Sequence, residues 1–146
     1  MKITLCGSIA FIDQMLEHKG VLEEQGHTVF IPEFIAQDKE GNPMSQQEFY
    51  KIRKRGDMEP VWFEREKARA IREHFEKIEK SDAILVVNCD KNDVPGYIGG
   101  NTLMEMGLAF HLGKSIYILN PIPEMSYKEE LIGMKPVLFS EALLIS

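Results

Sequence analysis

Two spacings of apolar residues alternate along this chain. Short apolar runs, rich in β-branched residues, stand at Lys2–Cys6, His27–Pro32, Asp82–Asn88, Ser115–Leu119 and Pro136–Phe139. Runs of that length and composition predict buried strands. Between them, apolar residues recur every three or four positions, the helical period. Such spacing predicts a helix from Ile12 to Gln25, stopped by Gly26, although Gly20 weakens its interior. A longer, highly charged helix is predicted over Val61–Lys80, with Ala68, Ile71, Phe75 and Ile78 as its apolar stripe. A third covers 102–113 and is nearly all apolar, a short one lies near Tyr127–Met134, and Ser140–Ser146 predicts a last helical turn or two. Residues 33–58 are polar and contain Gly and Pro. They predict a long excursion with a short helix near Gln46–Arg53, of a length that compact domains keep for lids or binding loops.

Strands alternating with helices imply right-handed crossovers and a parallel sheet covered on both faces. Five strands at this spacing suit an α/β, flavodoxin-like three-layer sandwich of order 2-1-3-4-5, and 1–146 reads as one domain. Ligands in such sheets bind beyond the carboxyl ends of the strands, where the order reverses between strands 1 and 3. The loops expected to meet there are Gly7–Phe11, Asn88–Asn101 and Asn120–Pro123. Gly7, Ser8, Ile9, Asn88 and Asn120 become candidate binding residues by that placement.

Composition narrows the chemistry. A chain of 146 residues, 44% apolar and 27% charged, supports a full core and argues against disorder. The net charge of −6 provides no basic field for a nucleic acid polymer, while backbone N–H groups still suit a single ligand phosphate. Cys6 and Cys89 read as buried thiols, and two cysteines with four scattered histidines do not make a structural metal site. No metal or cofactor is expected. The apolar start is too short for a signal sequence and no run reaches membrane-spanning length, so a cytoplasmic protein without a membrane partner is expected.

The candidate chemistry concentrates in Pro95-Gly-Tyr-Ile-Gly-Gly-Asn-Thr-Leu-Met-Glu-Met-Gly107, a glycine-rich loop running into a helix. Gly99, Gly100 and Asn101 there allow close approach of a sugar or anion. Glu105 has two readings. Thr102 and Glu105 fit a capping box, with Thr102 as N-cap; alternatively the carboxylate, in a helix buried on most sides, is a nucleophile facing a cleft. His74 borders the stripe of the charged helix, either as a histidine bonded to backbone or as a proton donor or substrate contact. Tyr97 and Ile98 can flank a base. Asp90 and Asp93 either accept from sugar hydroxyls or only make turns. Asp82 opens its strand at the far end from the loop and reads as a cap or a solvated residue. Lys51–Arg55 reads as a solvated helix face, and Trp62 and Phe63 as packing.

Taken together, Cys6-Gly-Ser-Ile9 after strand 1, the strand Asp82–Asn88, and the Gly-Gly-Asn-Thr-Leu-Met-Glu-Met-Gly run ending at Gly107 resemble the nucleoside 2-deoxyribosyltransferase superfamily. That superfamily includes the 2′-deoxynucleoside 5′-monophosphate N-glycosidases. The resemblance spans strand 1 and residues 70–120. It implies a flavodoxin-like fold, a homodimer or higher homo-oligomer with shared sites, a small nucleoside or nucleotide as substrate, and no metal or redox cofactor. It further implies that Glu105 attacks the anomeric carbon in a retaining double displacement. The relatives' helper aspartate aligns with His74 and the aromatic residue before their Cys-Gly with Thr4. Gly99 stands where the monophosphate glycosidases have a phosphate-binding serine, and their second such serine falls near Ile132.

The Pro95-Gly-x-x-Gly-Gly-x-Thr102-x-x-Glu105 pattern is also similar to the loop of nucleoside-monophosphate phosphoribohydrolases, without their arginine ahead of it. Both resemblances imply the N-glycosidic bond. Two other classes stay open: a nucleotide-binding sensor or regulator that has lost turnover, and an interaction module in which the glycine loop merely joins strand to helix. A flavin protein is disfavoured, because Gly-Ser-Ile-Ala-Phe lacks the hydroxyl-rich run that wraps a flavin phosphate.

Overall fold

The computed structural model describes residues 1–56 and 59–140. The described residues gather into two compact units, one drawn from Met1–Ile31 and Lys77–Ser146 and one from Pro32–Glu76.

The first unit is built on β1 (Lys2–Cys6), β2 (Thr28–Phe30), β5 (Ala83–Val86), β6 (Ser115–Ile118) and β7 (Val137–Leu138). They form one sheet of order β2-β1-β5-β6-β7, all parallel. Numbered within the sheet, this is the expected order 2-1-3-4-5. Register is set by pairs such as Ile3 with Ala83 and Cys6 with Val86. Strand side chains alternate between faces, and both faces are covered. Ile3, Leu5, Val29, Leu85 and Val87 pack with Met15 and Leu22 of α1 (Ile12–Glu24). Cys6, Ile84, Val86, Ile116 and Ile118 pack on the other side with Met106 and Ala109 of α4 (Gly100–His111) and Leu131 of α5 (Lys128–Gly133). A side chain as fully buried as Leu85 contributes about 1.5–3 kcal/mol relative to exposure. Two-sided burial is why β5, Ala83–Val86, reads as an unbroken apolar run. Gly26 ends the α1 region at φ 91°, the left-handed conformation expected of its stop. Asp82 lies just before β5 and accepts the Lys2 N–H at 2.7 Å, the capping role expected of it.

The second unit contains β3 (Ile35–Gln37), β4 (Pro43–Ser45), α2 (Gln46–Arg55) and most of α3 (Pro60–Glu79). The β3–β4 antiparallel pair was not expected from sequence. Its strands of three residues are too short to show alternation, and the Asp38 carboxylate tightens its turn by accepting from Glu40 and Asn42. Ser45 caps α2, accepting from Glu48 at 3.1 Å. Ala36, Phe49 and Trp62 form a small core of this unit's own, joined by Phe34 and Phe63.

The stripe of α3 also departs from expectation. Trp62, Glu66, His74 and Ile78 are its buried positions, whereas Ala68, Ile71 and Phe75 are half-buried. Hydropathy spacing misses this face because two of its members are polar. Glu66 is satisfied by Arg69 at 2.7 Å and by the Gln37 N–H at 2.5 Å. The turn expected over Ser140–Ser146 falls, apart from Ser140, outside the described residues.

Candidate active site

Strands β1, β5 and β6 end side by side, and their ladders run on through Val87 N–H to Cys6 and Leu119 N–H to Val86, at 2.8 and 3.0 Å. The loops that follow therefore leave from one place. Gly7 is required by the closeness of that departure. A Cβ there would meet the Val87 carbonyl oxygen at 2.8 Å and the Met15 terminal methyl at 2.9 Å.

Asn88 and Asn120 bind the second and third loops together. The Asn88 side-chain oxygen accepts the Asn120 N–H at 2.9 Å, and its amide nitrogen donates to the Asn120 carbonyl at 2.9 Å. The Asn120 side chain returns a bond to the Asn88 carbonyl at 2.8 Å. Asn88 also donates to the Gly96 carbonyl at 3.3 Å and is fully buried. The two asparagines expected to bind substrate thus hold the loops that would line the site.

The loop after β5 is folded by its own polar residues. Asp90 accepts the Gly96 N–H at 3.0 Å, and Gly96 takes φ 68° against the Pro121 carbonyl. Asn92 and Asp93, both left-handed at φ 52° and 60°, turn the chain so that Lys91 and Val94 bridge. Both aspartates thereby take the turn-making role that was one of their two readings. Ser8 opens the first loop as the N-cap of the short 3₁₀ turn Ile9–Phe11, accepting from Ala10 at 3.3 Å. The Lys91 ammonium donates to the same hydroxyl at 2.9 Å and stands 5.3 Å from the centre of the Tyr97 ring. Nothing in the sequence singles out Lys91, which stands in the run Asp90-Lys-Asn-Asp93. Ile98, by contrast, is buried in the core, and its carbonyl accepts from the Tyr127 hydroxyl.

Helix α4 begins earlier than expected. Gly99 is its N-cap in extended conformation, and the Leu103 N–H bonds back to the Gly99 carbonyl at 2.9 Å. Thr102 is therefore inside the helix and Glu105 lies beyond the first turn, which removes the capping-box reading. Thr102, Glu105, Met106 and Ala109 form the inward face, at helical spacing. Glu105 is its only acidic member. Asn101 is exposed and Gly100 borders open space.

Where β1 ends, the Cys6 sulfur and a Glu105 carboxylate oxygen lie within 4.8 Å of each other. Burial pushes the Cys6 thiol well above its ordinary value of 9.0, and the neighbouring negative carboxylate and its hydrogen bond push in the same direction. A thiol held protonated there is a donor to Glu105 rather than a nucleophile. His74 is buried on α3, in the second unit, one helical turn before Ile78.

Among the described residues no helix is long and apolar enough to cross a membrane. No family model matches the chain, and no curated protein matches it in sequence. Among solved structures it is similar to a 2-deoxyribosyltransferase from the psychrotolerant bacterium Bacillus psychrosaccharolyticus, with 20% identity and a TM-score of 0.51. The match covers 81% of this chain and 71% of that one. In fold, this chain is nucleoside 2-deoxyribosyltransferase-like.

Proposed function

We propose that the protein hydrolyses or transfers at the N-glycosidic bond of a nucleoside or nucleoside 5′-monophosphate, with Glu105 as nucleophile. The observation that supports this most is the placement of Glu105. It is the one acidic side chain on the inward face of α4, 9% exposed, at the carboxyl end of β1 where the loops converge.

In this reading a Glu105 oxygen bonds to C1′ as the C1′–N bond breaks, and its electron pair leaves on the base. The base takes up a proton, for which His74, in the position of the relatives' aspartate, is the candidate donor. Water, or a second base, then attacks C1′ and releases the Glu105 carboxylate, so that configuration is retained after two inversions. Cys6 positions the carboxylate, and Gly7, Ser8, Ile9, Tyr97, Gly99, Gly100 and Asn101 line the sugar side. The protein acts as a cytoplasmic homodimer or larger homo-oligomer on a small molecule. A second reading, a nucleotide-binding regulator without turnover, is favoured by the histidine that stands at the helper-aspartate position.

Free-base release from ribo- and deoxyribonucleosides and their 5′-monophosphates, wild type beside Glu105→Ala, tests the proposal. Release by the wild type that falls at least about a thousandfold in the variant is expected. No release from any substrate, with a second base present as acceptor, leaves the regulator reading in its place.

A further inference from the structure

With Glu105 read as the nucleophile, we propose that Lys91 selects an anionic substrate, a nucleoside carrying a phosphate at its 5′ position, over the neutral nucleoside. The Lys91 ammonium is held by a hydroxyl and an aromatic ring, at 2.9 Å from Ser8 and 5.3 Å from the Tyr97 centroid. Neither neutralises it. Among the described residues no carboxylate lies within ion-pair distance of it, although the chain has 23 acidic residues to 17 basic.

The hydrogen-bond count around Ser8 points the same way. Its oxygen accepts from Ala10 and from Lys91, which occupies both lone pairs and leaves the O–H to donate. An ammonium has three N–H donors, and Ser8 takes one. The pair therefore offers donors and a positive charge and no acceptor. A phosphate monoester, all acceptor and negative, is the complementary group.

Position fits this chemistry. Ser8 follows Cys6 by two residues, about 7 Å of extended chain, and Cys6 meets Glu105. A sugar with C1′ at Glu105 and its 5′ end directed along the first loop would bring its phosphate to Lys91. The lysine is also preset. Its position follows from the left-handed pair Asn92–Asp93 and the bridge to Val94, so little ordering is left for binding.

The test compares kcat/KM for nucleoside 5′-monophosphates and the matching nucleosides in wild type, Lys91→Met and Lys91→Arg. Calorimetric binding of ribose 5-phosphate, ribose and inorganic phosphate is measured alongside. The wild type is expected to prefer the monophosphate, and Lys91→Met to cut that preference on the order of 10- to 100-fold. Lys91→Arg should restore most of it, and ribose 5-phosphate should bind the wild type more tightly than inorganic phosphate or ribose. An equal loss on both substrate classes in Lys91→Met overturns the proposal. So does undiminished ribose 5-phosphate binding in that variant, or equal binding of inorganic phosphate and ribose 5-phosphate by the wild type. Lys91-dependent binding of ribose 5-phosphate without turnover would sink the glycosidase reading and keep the anion site. Glu105-dependent release that is indifferent to the phosphate would do the reverse.

Discussion

Cys6, the last residue of β1, hydrogen-bonds side chain to side chain with Glu105 of α4, linking the end of a central strand to the carboxylate proposed to react. A buried thiol donor fixes one carboxylate oxygen without neutralising it. Cys6→Ser keeps a donor and Cys6→Ala removes it. Activity in steady-state assays should therefore fall further in Cys6→Ala, by about tenfold relative to Cys6→Ser, the worth of one hydrogen bond to a charged group.

The same pair sets a pH dependence. The native thiol ionises well above 9.0, so at alkaline pH the unfolded chain loses its proton before the folded one does. Stability from this group is whole below pH 9 and is lost as pH rises from there through the native value. Urea midpoints measured from pH 7 to 11 should fall above pH 9. Cys6→Ala should flatten part of that fall.

Gly7 and Gly107 predict opposite signs for one change. A Cβ at Gly7 lies 2.8 Å from a backbone oxygen that cannot move aside alone, whereas at Gly107, within α4, it meets nothing within 4 Å. Gly7→Ala should destabilise by about 1–3 kcal/mol. Gly107→Ala should stabilise by roughly 0.5–1 kcal/mol through helix propensity. Denaturant titration of the two variants checks both.

Glu66 is fully buried in the second unit and bonded to Arg69 and the Gln37 N–H. The chain's only tryptophan, Trp62, lies in the same unit and donates to the Gln37 carbonyl at 2.6 Å. Glu66→Ala should cost about 1–3 kcal/mol, since an N–H and a half-exposed guanidinium lose their acceptor. Trp62 fluorescence should report that loss at lower denaturant than far-ultraviolet circular dichroism does.

Strand β5 was legible because it is buried throughout and nothing polar interrupts Ala83–Val86. The placement of Glu105 on α4 was legible too, but the helix start was not. Thr102 is the better capping side chain, yet Gly99 takes the extended conformation and starts the helix three residues sooner. Hydropathy could not place Glu66 and His74 inside α3, because a polar residue is marked as buried only by partners distant in sequence. Lys91 was invisible for a related reason. Its meaning lies in Ser8, 83 residues away.

The reciprocal bonds of Asn88 and Asn120 have a consequence for motion. One amide holds the carbonyls of both loops, so neither loop opens without breaking bonds to the other. Local opening there should be a single cooperative event with one free energy. Amide hydrogens at Gly96 and Asn120 should then exchange with solvent at matched rates, and a ligand that touches only the first of these loops should slow exchange in both.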